Sequence, residues 1–268
     1  MNDYFQLILK KATRIPSRLR ENLRAISLLK NWREFLSAKH LGNNLRKIHL
    51  RNGIVLTAPP HTDLSFLFQE IWIDKIYSPA GYRISPNDNV IDIGANIGVF
   101  SLYAATVASE TKVYAFEPFP ENADYLRQNV NDSKITNIKI EEKAVARRAN
   151  KRNLEITESG ITHSLSENEN PLDAVSVECT TLDEILEQIP RCDLLKIDCE
   201  GSEYEIIYAC SPSNLKKIHR IVGEYHYRDD AKKNGKALKE YLESQLFTVD
   251  YFVAFDKYVG LICATNKN

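Results

Sequence analysis

Residues 90–103 read VIDIGANIGVFSLY and residues 115–120 read AFEPFP. Val90 to Ile93 is a short apolar run that reads as a buried strand, and helical patterning resumes from Phe100. A strand that passes through Gly94-Ala95-Asn96-Ile97-Gly98 into a helix presents backbone N–H groups beside residues without side chains. A ligand can therefore approach the main chain closely. The dinucleotide fingerprint is GxGxxG, whereas this loop is DxGxxxG and lacks the second glycine on which a pyrophosphate settles. Asp92 ahead of the loop suits a cationic amino group better than a phosphate. The next apolar run ends in Phe116-Glu117-Pro118, which places Glu117 23 residues beyond Gly94. A carboxylate at that strand end accepts hydrogen bonds from both hydroxyls of a ribose.

Outward from this stretch, short apolar strands alternate with helical segments, the pattern of an α/β protein with a parallel sheet covered on both faces. The strands read Val90–Ile93, Lys112–Phe116, Ile138–Ala144, Leu194–Asp198 and Arg220–Glu224. Helices read Gly98–Ala108, Glu121–Asn131, Leu182–Gln188, Tyr204–Ala209 and Lys236–Gln245. Two final apolar runs, Phe247–Phe255 and Gly260–Thr265, are joined by a link too short for a parallel crossover. The sheet is therefore expected to end in an antiparallel hairpin. Ser166–Asp173 (SENENPLD) reads as an exposed loop.

Ahead of the sheet, Ile15, Leu19, Leu23, Ile26, Leu29, Trp32 and Leu36 recur at three- and four-residue steps, predicting one amphipathic helix over Ser17–Ala38. Asn52-Gly53 supplies the positive φ angles of a tight turn and predicts a hairpin between Leu45–Leu50 and Ile54–Ala58. Ser65–Tyr77 reads as a further helix. The expected division is a basic helical extension over residues 1–45 and a main domain over residues 46–268.

The chain has 268 residues and a formal net charge of −1, which hides an asymmetry: residues 1–51 carry +9 and the remainder −10. No run is long and apolar enough to span a bilayer, and Lys10, Lys11 and Arg14 interrupt the first apolar stretch. The cytoplasm is the expected compartment; the basic helix is expected to pack on the body of the protein, with peripheral membrane contact as the alternative. The five cysteines form no CxxC pair, which argues for buried thiols rather than a disulfide framework or zinc knuckle.

The chain resembles the FkbM family of methyltransferases, within the class I, Rossmann-like fold. The resemblance rests on VIDIGANIGVFSLYAA (90–105), AFEPFPENADYLRQNV (115–130), KAVA (143–146), TLDEIL (181–186), DLLKIDCEGSEYEII (193–207) and GEYH (223–226), and runs from about Ile48 to the C-terminus. KIDxEGxE is its most specific text. Asn96 stands where many class I enzymes have glycine, as it does in the family itself. The resemblance implies S-adenosylmethionine as cofactor, with Asp92, Gly94, Asn96 and Gly98 lining the methionyl and ribose end. Glu117 would hold the ribose, and the backbone near Ala144 would touch the adenine. It further implies methyl transfer to an oxygen nucleophile of a small-molecule or glycan acceptor.

Such a reaction needs alignment of the reacting groups and a base for the hydroxyl proton. Asp198 and Glu200, just past the fourth strand, and Glu224 and His226, just past the fifth, stand as alternatives, because ligands in such sheets sit outside the carboxyl ends of the strands. Lys196, two residues before Asp198, is expected to neutralise it, and His163 reads as an exposed loop histidine, with a place over the acceptor pocket as the alternative. No metal is expected, although Asp198 with Glu200 has the oxygens that Mg²⁺ requires. Three rival readings are a nucleic-acid methyltransferase, a non-catalytic S-adenosylmethionine-binding scaffold and a nicotinamide oxidoreductase. The acidic body and the lack of interleaved basic and aromatic residues beside the strand ends speak against nucleic acid.

Overall fold

The computed structural model describes residues 17–156, 163–165, 174–227 and 230–267. The elements in chain order begin with α1 (Ser17–Leu28), α2 (Trp32–Leu41), β1 (Lys47–His49), β2 (Val55–Thr57) and α3 (Leu64–Phe68), the last continuing as a π-helical turn over Gln69–Asp74. Next come β3 (Asn89–Ile93), α4 (Val99–Val107), β4 (Lys112–Phe116), α5 (Pro120–Asp132), β5 (Ile138–Glu141), β6 (Ala144–Val145), β7 (Lys151–Ile156), β8 (His163–Leu165) and β9 (Ala174–Thr180). The chain closes with α6 (Leu182–Glu187), β10 (Leu194–Ile197), α7 (Glu203–Ala209), α8 (Pro212–Leu215), β11 (Arg220–His226), α9 (Gly235–Ser244), β12 (Phe247–Ala254) and β13 (Val259–Asn266).

The main sheet has the order β12-β13-β11-β10-β3-β4-β5. Its five inner and leading strands run parallel, and β13 is antiparallel to both β11 and β12. The expected parallel sheet with an antiparallel C-terminal hairpin is present. Successive residues feed two separate cores, as the two-residue period of a strand requires. Val90, Leu194 and Val222 join the α1–α4 side, while Ile91, Leu195 and Ile221 join the α6, α7 and α9 side. A sheet buried on both faces explains why these strands read as unbroken apolar runs.

Local chemistry sets the helix starts. Pro120 occupies the first turn of α5, where its missing N–H has no partner to lose. Thr181 and Glu184 form a capping box on α6, satisfying two otherwise orphaned N–H groups.

The N-terminal segment differs from the sequence expectation. One helix over Ser17–Ala38 is replaced by α1 and α2, broken at Leu29–Asn31. Lys30 donates its N–H to the His49 carbonyl at 2.8 Å. The Asn31 side chain accepts from His49 N–H at 2.9 Å and donates to the Lys47 carbonyl at 2.9 Å. Strand β1 thus captures the backbone that would have continued the helix. Ala25, Leu29 and Phe35 are buried in the same core as Phe68, Trp72 and Tyr103, so the extension packs on the body.

Ser65–Tyr77 also departs from a regular helix. Ile71, Trp72 and Ile73 are consecutive and all buried, which a 100° rotation per residue disfavours for a surface helix. The π turn takes up the difference, closing at Lys75 with φ 59°. The expected strand Ile138–Ala144 is split: β5 stays in the main sheet, while β6 starts a second sheet of order β6-β9-β7-β8 that the sequence reading missed. The expected loop at Ser166–Asp173 lies outside the described residues. Four cysteines are buried and Cys199 is half-buried, all as free thiols.

Candidate functional site

A cavity of about 640 Å³ opens at the carboxyl ends of β3, β4, β10 and β11. Gly94, Asn96, Glu117, Ala144, Asp198, Glu200 and Glu224 all line it, so seven of the ten residues singled out in the sequence meet around one space. Asp92, Gly98 and His226 are not in its wall.

Gly94 fits its place for two reasons. Its φ is +74°, and a Cβ there would fall 1.8 Å from the Asp198 carbonyl oxygen. The bare backbone keeps the floor of the cavity open between the ends of β3 and β10. Gly98 has φ +87° but serves packing, since a Cβ would strike Leu126 Cδ1 of α5 at 2.2 Å. It stands outside the cavity wall, at a close approach of helix and loop.

Asp92 likewise stands outside the cavity wall. It is fully buried, with Oδ1 3.1 Å from Lys196 Nζ and Oδ2 accepting from Ser101 Oγ at 2.6 Å. The pair is set by register, because Asp92 and Lys196 are direct partners on adjacent parallel strands. Lys196 also donates to the Gly94 carbonyl at 2.7 Å. Asp92 therefore holds the glycine loop through Lys196, and Lys196 has Asp92, not Asp198, as its ion-pair partner. Burial alone would push the ammonium down; Asp92 and Asp198 outweigh it and raise it above its ordinary value.

Glu117 accepts from the N–H of Asn96 at 2.7 Å and of Phe119 at 2.9 Å. Its carboxyl is pushed up to about 7 by burial, against the lowering pull of those two N–H groups. A carboxylate has about four lone-pair sites, so acceptors remain for a diol in the cavity.

At the other end of the cavity, the Tyr77 hydroxyl lies 3.0 Å from Asp198 Oδ2 and 2.9 Å from Glu224 Oε1. One hydroxyl proton serves only one of these oxygens. Both contacts are hydrogen bonds when one carboxyl keeps its own proton, and Glu224 is the group pushed upward, by burial and by Asp198. Tyr77 is itself buried against Phe100, with the Lys196 ammonium 5.3 Å from its ring centre. Sequence reasoning missed Tyr77 and also Glu70, whose carboxyl is raised to about 7 by burial and by Asp198 and Asp74. Glu70, Asp74 and Tyr77 are four and three residues apart, a same-face spacing in SFLFQEIWIDKIY. That spacing was the available signal.

His226 stands behind the wall, with Nε2 3.5 Å from Glu200 and 3.9 Å from Glu224, and Nδ1 3.4 Å from Glu203. Burial would lower the imidazole, but Glu203, Asp198 and Glu200 outweigh it and hold it at about 9. Asp198, Glu224 and His226 each offer a ligand atom within 4.8 Å of the others, a mixed oxygen and nitrogen set compatible with a divalent cation. The side chain of His163 lies outside the described residues.

A parallel sheet ending in an antiparallel hairpin, a glycine loop and a ribose-type carboxylate define a Rossmann-like, S-adenosylmethionine-dependent methyltransferase. The Methyltransferase FkbM domain matches residues 92–250, and the chain belongs to that family. It is 28% identical over 215 residues to the AMB antimetabolite synthetase AmbE of Pseudomonas aeruginosa, covering 65% of this chain but only 10% of that much longer protein. It is 24% identical to the 31-O-demethyl-FK506 methyltransferase FkbM of Streptomyces tacrolimicus, covering 69% of this chain and 83% of that one. Among solved structures it is similar to the magnesium protoporphyrin IX methyltransferase of Synechocystis PCC 6803, with 11% identity and a TM-score of 0.45, over 76% and 82% of the two chains.

Proposed function

We propose that the protein is an O-methyltransferase acting on a hydroxyl of a small molecule or glycan, with Asp198 as the base. When bound, S-adenosylmethionine supplies an activated sulfonium methyl group. Gly94, Asn96, Glu117 and Ala144 would hold that cofactor. The rest of the work falls to the far end of the cavity, where an acceptor must be aligned and lose a proton.

The observation that carries this reading is the Tyr77 hydroxyl shared between Asp198 and Glu224. Glu224, pushed upward, keeps its proton and donates to Tyr77, and Tyr77 donates to Asp198. His226 is held at about 9, so at neutral pH it is a cation that steadies Glu200 and Glu203. The Asp198 carboxylate, which lines the cavity, then has lone pairs left for an acceptor hydroxyl. The FK506-modifying relative, named for a 31-O position, supports oxygen as the nucleophile.

The test is incubation with methyl-¹³C-labelled donor and a panel of hydroxyl-bearing macrocycles and oligosaccharides. A methoxy carbon that survives mild alkali is expected, since an ether resists the hydrolysis that releases an ester methyl. Asp198→Asn should bind donor as the parent does and lose turnover. Label on nitrogen or in an alkali-labile ester would overturn the assignment, and donor binding without transfer to any acceptor would favour the scaffold reading.

A further inference from the structure

We infer that α1 is a docking surface for an anionic lipid bilayer. One face of the α1–α2 pair is committed to the body through Ala25, Leu29, Phe35 and Ala38, all buried. The opposite side of α1 presents Leu19 and Leu23, 48% and 49% exposed. They are four residues apart, hence stacked on one helical stripe. Arg18 and Arg20 are exposed on the same helix. An apolar stripe bordered by arginines is the form of a helix that lies in the interface of a bilayer with its cations at the headgroups.

Charge argues for this occupant over an uncharged protein surface. Residues 1–51 carry +9 and the rest of the chain −10. Near an anionic surface this dipole turns the basic end inward and drives the acidic body away. No helix among the described residues is long and apolar enough to cross a membrane, so contact through α1 is peripheral.

The surface is tied to the cavity. Arg24 Nη1 donates to the Ile73 carbonyl at 2.8 Å, and Lys39 Nζ donates to Gln69 Oε1 at 3.1 Å. Gln69 lies on the π turn and Phe66, 57% exposed, on α3, and both line the cavity. Docking through α1 thus sets the lipid against a helix pair bonded to the segment that walls the cavity, which suits an acceptor carried on a lipid.

The test is flotation of the full chain with vesicles of pure phosphatidylcholine and of phosphatidylcholine mixed with phosphatidylserine. Each basic residue brought to an anionic surface strengthens binding roughly fivefold, so the mixed vesicles should bind at least about tenfold more tightly, less so in high salt. Leu19→Glu/Leu23→Glu and, separately, Arg18→Glu should each weaken that binding, with unchanged melting temperature and donor affinity, because all three side chains are exposed. Equal binding of parent and leucine variant to the mixed vesicles would overturn the inference. So would binding to a single-stranded oligonucleotide as tight as to the mixed vesicles and indifferent to the leucine change. Both results are independent of whether the cavity transfers a methyl group.

Discussion

Lys196→Met is the substitution that tests the internal logic of the site most directly. The side chain is nearly the same length, so it removes charge without leaving a large void. Asp92 is fully buried, and after the change only Ser101 Oγ would still donate to it. Breaking a buried pair while leaving one charge costs about 3–5 kcal/mol. For a chain of this size each kcal/mol moves the midpoint by about 2–4 °C, so a fall of roughly 6–20 °C is expected. The Lys196 ammonium is raised above its ordinary value; its contribution is fully present below that value and is lost only as pH rises through the higher folded one. The loss caused by the substitution should therefore be constant from pH 6 to 9. The Gly94 carbonyl also loses its donor, and a hydrogen bond from a charged group is worth about 1.5–3 kcal/mol, so donor affinity should fall about tenfold or more. Urea unfolding and calorimetric titration with S-adenosylmethionine measure both effects. Asp92→Asn combined with Lys196→Met should recover most of the stability, since no unpaired charge remains. A single variant within 1 kcal/mol of the parent, or a double variant no better than the single, would refute the account.

Other expectations follow from the same geometry. The Glu117 carboxyl sits near 7 in the folded chain, above its ordinary 4.5, so its contribution to stability is present at low pH and lost as pH rises from about 5 to 7. Glu117→Gln should flatten that slope and gain about 1–3 kcal/mol at pH 8 in denaturant titrations, while weakening donor binding and abolishing its pH dependence. Gly94→Ala meets a backbone oxygen at 1.8 Å and should eliminate donor binding by calorimetry. Gly98→Ala meets a leucine methyl and should cost about 1–3 kcal/mol of stability but change donor affinity only a few-fold. Tyr77→Phe removes the proton shared between Asp198 and Glu224; turnover should fall at least tenfold with donor affinity unchanged, read by labelled-methyl transfer and titration.

Much of the site was legible in the chain because its elements are local. A strand end, a glycine turn and a helix start lie within 14 residues, 90–103, and each has its own chemical signature. Glu117, Asp198 and Glu224 were legible for a related reason: parallel strands deliver their carboxyl ends to one edge, so residues far apart in sequence converge there. Tyr77 and Glu70 shared a same-face spacing but were not legible as site residues, because that spacing does not state that the segment turns as a π-helix over the same edge. The break between α1 and α2 was hidden as well. The amphipathic period runs through Leu29 without interruption, and only the hydrogen bonds of Lys30 and Asn31 to β1 stop the helix there.

The sequence by itself therefore determined the fold class and which strand ends meet around the cavity, through short-range pattern and strand polarity. Tertiary structure alone decided what each polar group does. Register set Asp92 against Lys196, and packing against α5 brought Gly98 against Leu126. The π turn carried a tyrosine between two carboxylates some 120 and 150 residues away. The physical reason is that hydrogen bonds and burial depend on distances of a few tenths of an ångström between distant segments, and one-dimensional spacing does not encode those distances.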